Sequence, residues 1–505
     1  MMRRFGQCLA VALGVLLGIF VDGLAVRAGD RTRPNVLFIA IDDLNDWTGV
    51  LAGYPQAKTP NLDRLARQSV LFTNAHTAAP ACNPSRAALM TGVPPYRSGV
   101  YHNAQPWRPA MPDVLTLPQW FRRHGYWAAG SGKIYHGAFP DPASWDMYVP
   151  SQQRNQFPNP RPPRRNLNGL SRGHFDWGPI PDIDDSEMGD AKTADWICEQ
   201  LGREHDRPFF LACGFFRPHL PWYVPESYFE QFPREQVRLP EVRDDDLEDI
   251  PAAGIRMARP QGDHAAVIAA KQWHAAVQGY LASIAFVDRQ LGRVLDALEK
   301  SPHADSTIVI LWTDHGWHLG EKQHWRKFTL WEEATRVPLM IRVPPGVSDA
   351  LPEGSRNGQR CSRPVSLMDV YPTLVDLCGL PEKEGLVGQS LRPLLADPQA
   401  RWERPAITTY GRGNHAVRSQ DWRYIRYADG SEELYDHRHD PQEWTNLAGD
   451  ARYVAIKAEL ARWLPQENAP DAPGRKAKGR GRRAKKAKKS GRRGSAASPS
   501  PDKRR

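Results

Sequence analysis

Val36-Leu37-Phe38-Ile39-Ala40-Ile41-Asp42-Asp43 is the stretch that decides the fold. It is an unbroken apolar run of strand length, the pattern of a strand buried on both faces of a parallel sheet, and it ends abruptly in two carboxylates. Downstream, Thr59-Pro60 opens a helix carrying Leu62, Leu65 and Ala66, with Thr as cap and Pro in the first turn. Val70-Leu71-Phe72 follows as a second strand, and Leu117, Trp120 and Phe121 mark a helix that stops at Gly125. Tyr126-Trp127-Ala128-Ala129 reads as a strand running into the turn Gly130-Ser131-Gly132-Lys133, and Phe209-Phe210-Leu211-Ala212 as a strand leading to Phe215-Phe216-Arg217-Pro218-His219. A helix over about 271–299 repeats Tyr280, Ile284, Val287, Leu291, Val294, Leu295 and Leu298 at helical spacing. The strand from Ser306 to Trp312 then delivers Thr313-Asp314-His315-Gly316.

Strand and helix in alternation predict an α/β fold, a large mostly parallel sheet sandwiched by helices. In such sheets ligands sit beyond the carboxyl ends of the strands, where Asp42, Asp43, Asp314 and His315 are all expected to meet. Residues 138–190 break the rhythm. They are rich in Pro, Arg, Asn and Asp and read as a long surface insertion that either caps the active face or wraps the body. From about residue 401, His415-Ala416-Val417-Arg418, Trp422 to Tyr427 and Leu434-Tyr435-Asp436 predict a small C-terminal antiparallel sheet subdomain. The expected division is a signal peptide over 1–28, a catalytic domain over 29–400, a small α+β subdomain over 401–470 and a basic tail over 471–505.

The ends of the chain carry their own information. Arg3 and Arg4 precede an apolar run from Cys8 to Val21, and Val26-Arg27-Ala28 offers small residues for cleavage, so a secretory signal peptide and a secreted or periplasmic protein are expected. The run, about fourteen residues, is short for a membrane span. The formal net charge is +10, but residues 475–505 hold fifteen Lys or Arg and one Asp, so the remainder carries 10 − 14 = −4. The tail has no side chain able to build a core; it reads either as an attachment to an anionic surface or polyanion, or as a solvated tail with no dedicated partner. No specific nucleic acid is expected. Cys198, Cys213, Cys361 and Cys378 lack paired zinc spacing and leave both disulfides and buried thiols open.

Three acidic side chains gathered at one point repel unless a cation holds them, and carboxylate oxygens suit Ca²⁺ or Mg²⁺ better than zinc. Asp42-Asp43 by itself is ordinary turn chemistry. Its weight comes from order: D-D, then Cys82-Asn83-Pro84-Ser85-Arg86, then Gly132-Lys133-Ile134-Tyr135-His136, then Asp314-His315-Gly316-Trp317.

That order resembles the type I, formylglycine-dependent sulfatases of the alkaline phosphatase superfamily, closest in pattern to the iduronate-2-sulfatase group. The likeness runs from Pro34-Asn35 through Arg217-Pro218-His219, Gly320-Glu321 and Trp325-Arg326-Lys327 to Glu433-Leu434-Tyr435-Asp436. The resemblance implies that Cys82 is oxidised to Cα-formylglycine by a formylglycine-generating enzyme, and that the hydrated aldehyde attacks sulfur. It further implies that Asp42, Asp43, Asp314, His315 and the modified Cys82 bind Ca²⁺. Arg86 then supports the formylglycine, while Lys133, His136, His219 and Lys327 surround the sulfate. The expected activity is hydrolysis of a sulfate ester on a sulfated, uronic-acid-containing glycan. In chemical terms fixed cations stabilise an anionic transition state, Asp314 is the candidate base, His219 the candidate acid toward the leaving sugar, and His136 the acceptor of the last proton. Trp107-Arg108 is a further candidate, for a sugar carboxylate. Two rivals remain: a phosphatase or phosphodiesterase of the same superfamily, normally built on Ser or Thr, and a non-catalytic polyanion-binding protein resting on the tail alone.

Overall fold

The structure is a computed structural model that describes residues 33–474. The expected signal peptide and the basic stretch from residue 475 lie outside the described residues. The main sheet is built from β1 (Asn35–Asp42), β2 (Val70–Phe72), β3 (Trp127–Gly132), β4 (Met147–Val149), β5 (Phe209–Pro218), β6 (Thr307–Thr313), β7 (Leu339–Arg342) and β8 (Arg360–Cys361). Their order is β8-β2-β7-β6-β1-β5-β3-β4. All neighbours pair in parallel except β7, which runs antiparallel to both β6 and β2.

Every residue of β1 is buried, and its alternation divides them between two cores. Leu37, Ile39 and Ile41 join one apolar cluster with Tyr280, Ile284 and Leu291 of the long helix Trp273–Glu299. Val36, Phe38 and Ala40 join the opposite cluster with Leu117 and Phe121 of the helix Leu117–Arg123. A strand clamped on both faces has no freedom to slip its register. Truncating Phe38 to Ala is expected to destabilise the protein by about 3–5 kcal/mol.

Several expectations need correcting. Gly130-Ser131-Gly132 is the end of β3 and not a turn; the absence of side chains lets β3 and β5 approach closely, and a Cβ on Gly132 would lie 1.8 Å from the Gly214 carbonyl oxygen. The 138–190 segment is partly built into the body: Met147–Val149 forms the edge strand β4, and Phe175, Trp177 and Ile180 are buried in the core. Strand β7 was not anticipated, because direction within a sheet is a property of topology that periodicity does not carry. The small C-terminal sheet has four antiparallel strands, β9 (Ala406–Thr409), β10 (His415–Arg418), β11 (Trp422–Arg426) and β12 (Glu432–Asp436), the first of them unforeseen. All five cysteines among the described residues are free. No helix among the described residues is long and apolar enough to cross a membrane.

Candidate active site

Asp42 is the last residue of β1, where the pairing register with β5 shifts, and Asp43 turns the chain away with a left-handed φ of 61°. Two contacts hold that corner. The Asp43 amide donates to Asp314 Oδ1 at 3.1 Å, and the Tyr280 hydroxyl donates to the Asp43 carbonyl at 2.8 Å. Asp314 and His315 directly follow β6, the parallel neighbour of β1 with Ile41 opposite Thr313, so strand adjacency brings the two acidic corners side by side.

Cys82 is the first residue of the helix Cys82–Thr91, every residue of which is buried. Helical spacing places Ser85 and Arg86 beneath it, three and four residues on. Ser85 donates to the Asp314 carbonyl at 2.5 Å. The Arg86 guanidinium reaches Asp314 Oδ2 through Nε at 2.8 Å and Asp42 Oδ1 through Nη2 at 2.9 Å, and its Nη1 donates to the carbonyls of Lys133 and Ile134. One arginine therefore ties the ends of three strands to the helix that presents Cys82. Bridging two carboxylates and two carbonyls at once is what a planar fork of five donors provides and an ammonium does not.

Around the sulfur stand Lys327 Nζ at 3.0 Å, His315 Nε2 at 3.3 Å and Asp43 Oδ1 at 3.9 Å. Lys327 also pairs with Asp43 Oδ1 at 2.6 Å. Its loop is fixed by Phe328, whose amide donates to the Pro80 carbonyl at 3.1 Å, and by His324, whose Nε2 donates to the Lys327 carbonyl at 2.8 Å. Lys133 pairs with Asp42 and lies 5.1 Å over the Phe216 ring. His136 lies near enough to Cys82 to influence its electrostatics and keeps a buried Nδ1 without a partner. His219 is the accessible member, with 24% of its side chain exposed; Nδ1 donates to the Leu220 carbonyl at 2.6 Å, which leaves Nε2 pointing inward, 3.8 Å from Asp43 Oδ2.

The electrostatics follow from burying so many charges together. Burial raises the Cys82 thiol, yet Lys327, Lys133 and His315 outweigh it and hold the group well below its ordinary range. Asp42 is likewise raised by burial but pulled far down, chiefly by Lys133 and also by Arg86. Asp314 is pushed up to about 6, by burial first, with Arg86 opposing and Asp42 adding repulsion. His315, which burial lowers, is carried up to about 9 by Asp314. Burial lowers Lys327 too, and Asp43 and Cys82 more than reverse it. His136 is lowered, mainly by burial.

All ten residues singled out in the sequence, Asp42, Asp43, Cys82, Arg86, Lys133, His136, His219, Asp314, His315 and Lys327, are brought together here. Arg108 is not among them: it pairs with Asp141 at 2.7 Å and stacks on Trp107, so it braces the body. Sequence reasoning missed Tyr280, whose hydroxyl holds the Asp43 corner, and Asp190, which accepts the amides of Phe216 and Arg217 at 2.7 and 2.9 Å and so fixes the strand end leading to His219. Tyr280 was legible only as part of an apolar stripe, and Asp190 carried no signal at all.

The arrangement fits a hard cation. One donor atom from each of Asp43, Cys82, Asp314 and His315 lies within 4.8 Å of the others, as do those of Asp42, Asp43, Cys82 and His219. Asp43 Oδ2 is buried with no hydrogen-bond partner, the mark of an acceptor awaiting a ligand. Donation from His315 Nδ1 to the Gly316 carbonyl at 3.0 Å leaves Nε2 directed at the same point.

A mostly parallel sheet with carboxylates, buried cations and a helix-borne Cys82 converging at its strand ends defines an anionic-ester hydrolase of alkaline phosphatase-like architecture. The family model for Sulfatase matches residues 34–380, and that for the N-sulphoglucosamine sulphohydrolase C-terminal region matches residues 320–469. Among curated proteins, a sulfatase of Formosa agariphila is 39% identical over 86% of this chain and 87% of its own length. Iduronate 2-sulfatase of Homo sapiens is 30% identical over 72% of this chain and 74% of its own. Among solved structures, the phosphonate monoester hydrolase of Agrobacterium radiobacter superposes with a TM-score of 0.68 at 27% identity, covering 85% of this chain and 94% of that one. The chain belongs to the sulfatase family and is a sulfuric ester hydrolase.

Proposed function

We propose that the protein is an exported, formylglycine- and calcium-dependent sulfatase that removes sulfate from a uronic-acid-containing glycan. The observation that carries this reading is the setting of Cys82: a buried side chain at the first turn of a helix, flanked by two lysines and two histidines, with a cation-compatible carboxylate cluster at its base. Ca²⁺ and the formylglycine at position 82 supply, when present, a concentrated positive charge for the sulfate oxygens and an oxygen nucleophile. Asp42, Asp43, Asp314 and His315 hold the ion in this reading, and Arg86 keeps Asp42 and Asp314 in register with position 82.

Lys133 and Lys327 offer fixed positive charge on either side of the reacting group, already oriented by their carboxylates, so little reorganisation accompanies charge development. His219, accessible and with its Nδ1–H committed to a carbonyl, acts in its imidazolium form and delivers the Nε2 proton to the leaving sugar oxygen. His136, lowered toward the neutral form mainly by burial, accepts a proton from the position 82 side chain. The sugar clause rests on the relative named iduronate 2-sulfatase. Export, maturation by a formylglycine-generating enzyme and attachment to polyanions by the tail complete the proposal, on the sequence features given above.

A second reading, transfer from a phosphate diester or phosphonate, is favoured by the similarity to the phosphonate monoester hydrolase. Parallel assays decide between them. The proposal expects calcium-dependent sulfate release from sulfated uronic-acid oligosaccharides, with kcat/KM at least tenfold above that for phosphodiesters and phenylphosphonates. The reverse order overturns it.

A further inference from the structure

One cleft among the described residues opens on His219. It has a volume of about 1090 Å³ and is lined by Gly137, next to His136, by Phe216 and His219, and along its outer wall by residues 153–174 of the insertion. Pockets for compact small ligands occupy about 300–1,000 Å³, so this space exceeds what one sugar ring requires.

Its charge is one-sided. From Met147 to Phe175 the chain holds five arginines and no Asp or Glu, in a body that is otherwise mildly acidic. Three of the five, Arg154, Arg161 and Arg165, line the cleft and are exposed, and among the described residues none of their side chains has an ion-pair or hydrogen-bond partner. The acid on the wall, Asp176, is buried and already committed: it accepts from the Tyr223 hydroxyl and from the amides of Leu167 and Asn168. Arg217 is buried as well, its guanidinium donating to the carbonyls of Tyr223 and His219. The opposite charges of Asp176 and Arg217 offset each other, so the excess positive charge of the lining comes from the three unpaired guanidinium groups, which suit planar recognition of sulfate or carboxylate oxygens.

We propose that this arginine-lined cleft is a binding subsite for further anionic groups on the leaving side of the scissile sulfate, and that the enzyme acts on oligosaccharides bearing a sulfate or carboxylate on successive sugars. The inference rests on the sulfatase reading, since His219, the donor to the leaving sugar, forms its inner end. Beyond that reading it assigns a role to Arg154, Arg161 and Arg165, none of which belongs to the reacting centre.

The test is inhibition of 4-nitrocatechol sulfate hydrolysis by a heparin-derived hexasaccharide, using the full chain and a variant carrying Arg154→Ala, Arg161→Ala and Arg165→Ala. Competition at the cleft needs no cleavage of the probe. The proposal expects competitive inhibition of the parent enzyme that weakens on going from low to physiological salt. It also expects Ki to rise at least tenfold in the triple variant, given three exposed charge contacts of modest strength each. A triple Arg→Lys variant, which keeps the charge, should recover most of the loss, whereas a merely structural role would leave Ki unmoved by charge. No competition in the parent, or a Ki within twofold between parent and triple Ala variant, overturns the subsite. Absence of sulfate release from both the aryl sulfate and sulfated uronic-acid oligosaccharides, in parent enzyme whose residue 82 is formylglycine, overturns the underlying reading, and the subsite falls with it.

Discussion

Two clusters of buried charge among the described residues differ in what is left over. In the strand-end cluster around Cys82, Asp43 Oδ2 has no partner, and the cations converge on one side chain from several directions. In the cluster between the main body and the small C-terminal sheet, the carboxylates of Glu332, Glu443 and Asp246 are each met by a cation. Arg423 joins Glu332 and Glu443, Arg418 joins Glu332, His437 joins Glu443, and Lys322 joins Asp246 at 2.6 Å. Glu332, His437 and Glu443 lie close enough to form a metal site by distance alone, yet both arginines already occupy the carboxylates. Clustering of ligand-type residues is thus a weak criterion for a site; an acceptor left unpaired beside a reactive group is a strong one.

The comparison can be broken most severely at residue 82. Replacing Cys82 with Ala should lower kcat by roughly 10⁴-fold or more while leaving substrate binding measurable, because loss of a nucleophile removes the step and not the fold. Substantial residual turnover would mean that the cluster is not catalytic. Next in size is Asp43→Asn, or removal of divalent ions with a chelator, for which activity is expected to fall by about 10²–10³-fold and, in the chelated enzyme alone, to return on adding Ca²⁺. Indifference to chelation would place the cluster beside the other one as a structural network.

The second cluster should respond in the opposite currency. Glu443→Gln leaves the buried Arg423 short of a partner and should destabilise the protein by about 3 kcal/mol in denaturant titration, with kcat nearly unchanged. A large kcat loss at unchanged stability would reverse the assignment.

Acid should weaken the small sheet as well. His415 on β10 is buried and its pKa is lowered from 6.5 to about 4 by that burial. The folded state therefore favours the neutral ring, so this contribution is complete above pH 6.5 and is lost as pH falls toward 4. The full difference is about 3 kcal/mol. Denaturation midpoints measured across this window should drop with falling pH, and the drop should shrink in His415→Gln.

The smallest effect belongs to Arg108. Its partly exposed pair with Asp141 predicts a loss of about 1 kcal/mol in Arg108→Ala and no change in KM for a uronic-acid substrate. A selective rise in KM would restore Arg108 to substrate recognition.

Much of the reacting centre was legible in the chain because its parts obey local rules. Asp42-Asp43 and Asp314-His315 end buried parallel strands, and Cys82 and Arg86 are separated by four residues on one helix, so topology and helical pitch do the assembling. What could not be read were contacts made by the uncommitted atom of an otherwise ordinary residue. Tyr280 sits in an apolar stripe whose period signals burial without saying that its hydroxyl reaches the Asp43 carbonyl. Arg423, Glu332 and Glu443 come from separate segments with no shared spacing, and β7 is a short apolar run whose antiparallel direction is set only by the strands beside it. The insertion was visible as a change of texture. That its arginines would face His219 across a cleft depended on how β4 and the buried Trp177 anchor it.

The central claim is that residue 82 works as formylglycine inside this cluster, and peptide mass spectrometry of active enzyme from its native host tests it most directly. The account predicts that the peptide containing residue 82 carries the aldehyde, and that the modified fraction rises in proportion to specific sulfatase activity. Full sulfatase activity in protein whose Cys82 is entirely unmodified would contradict it.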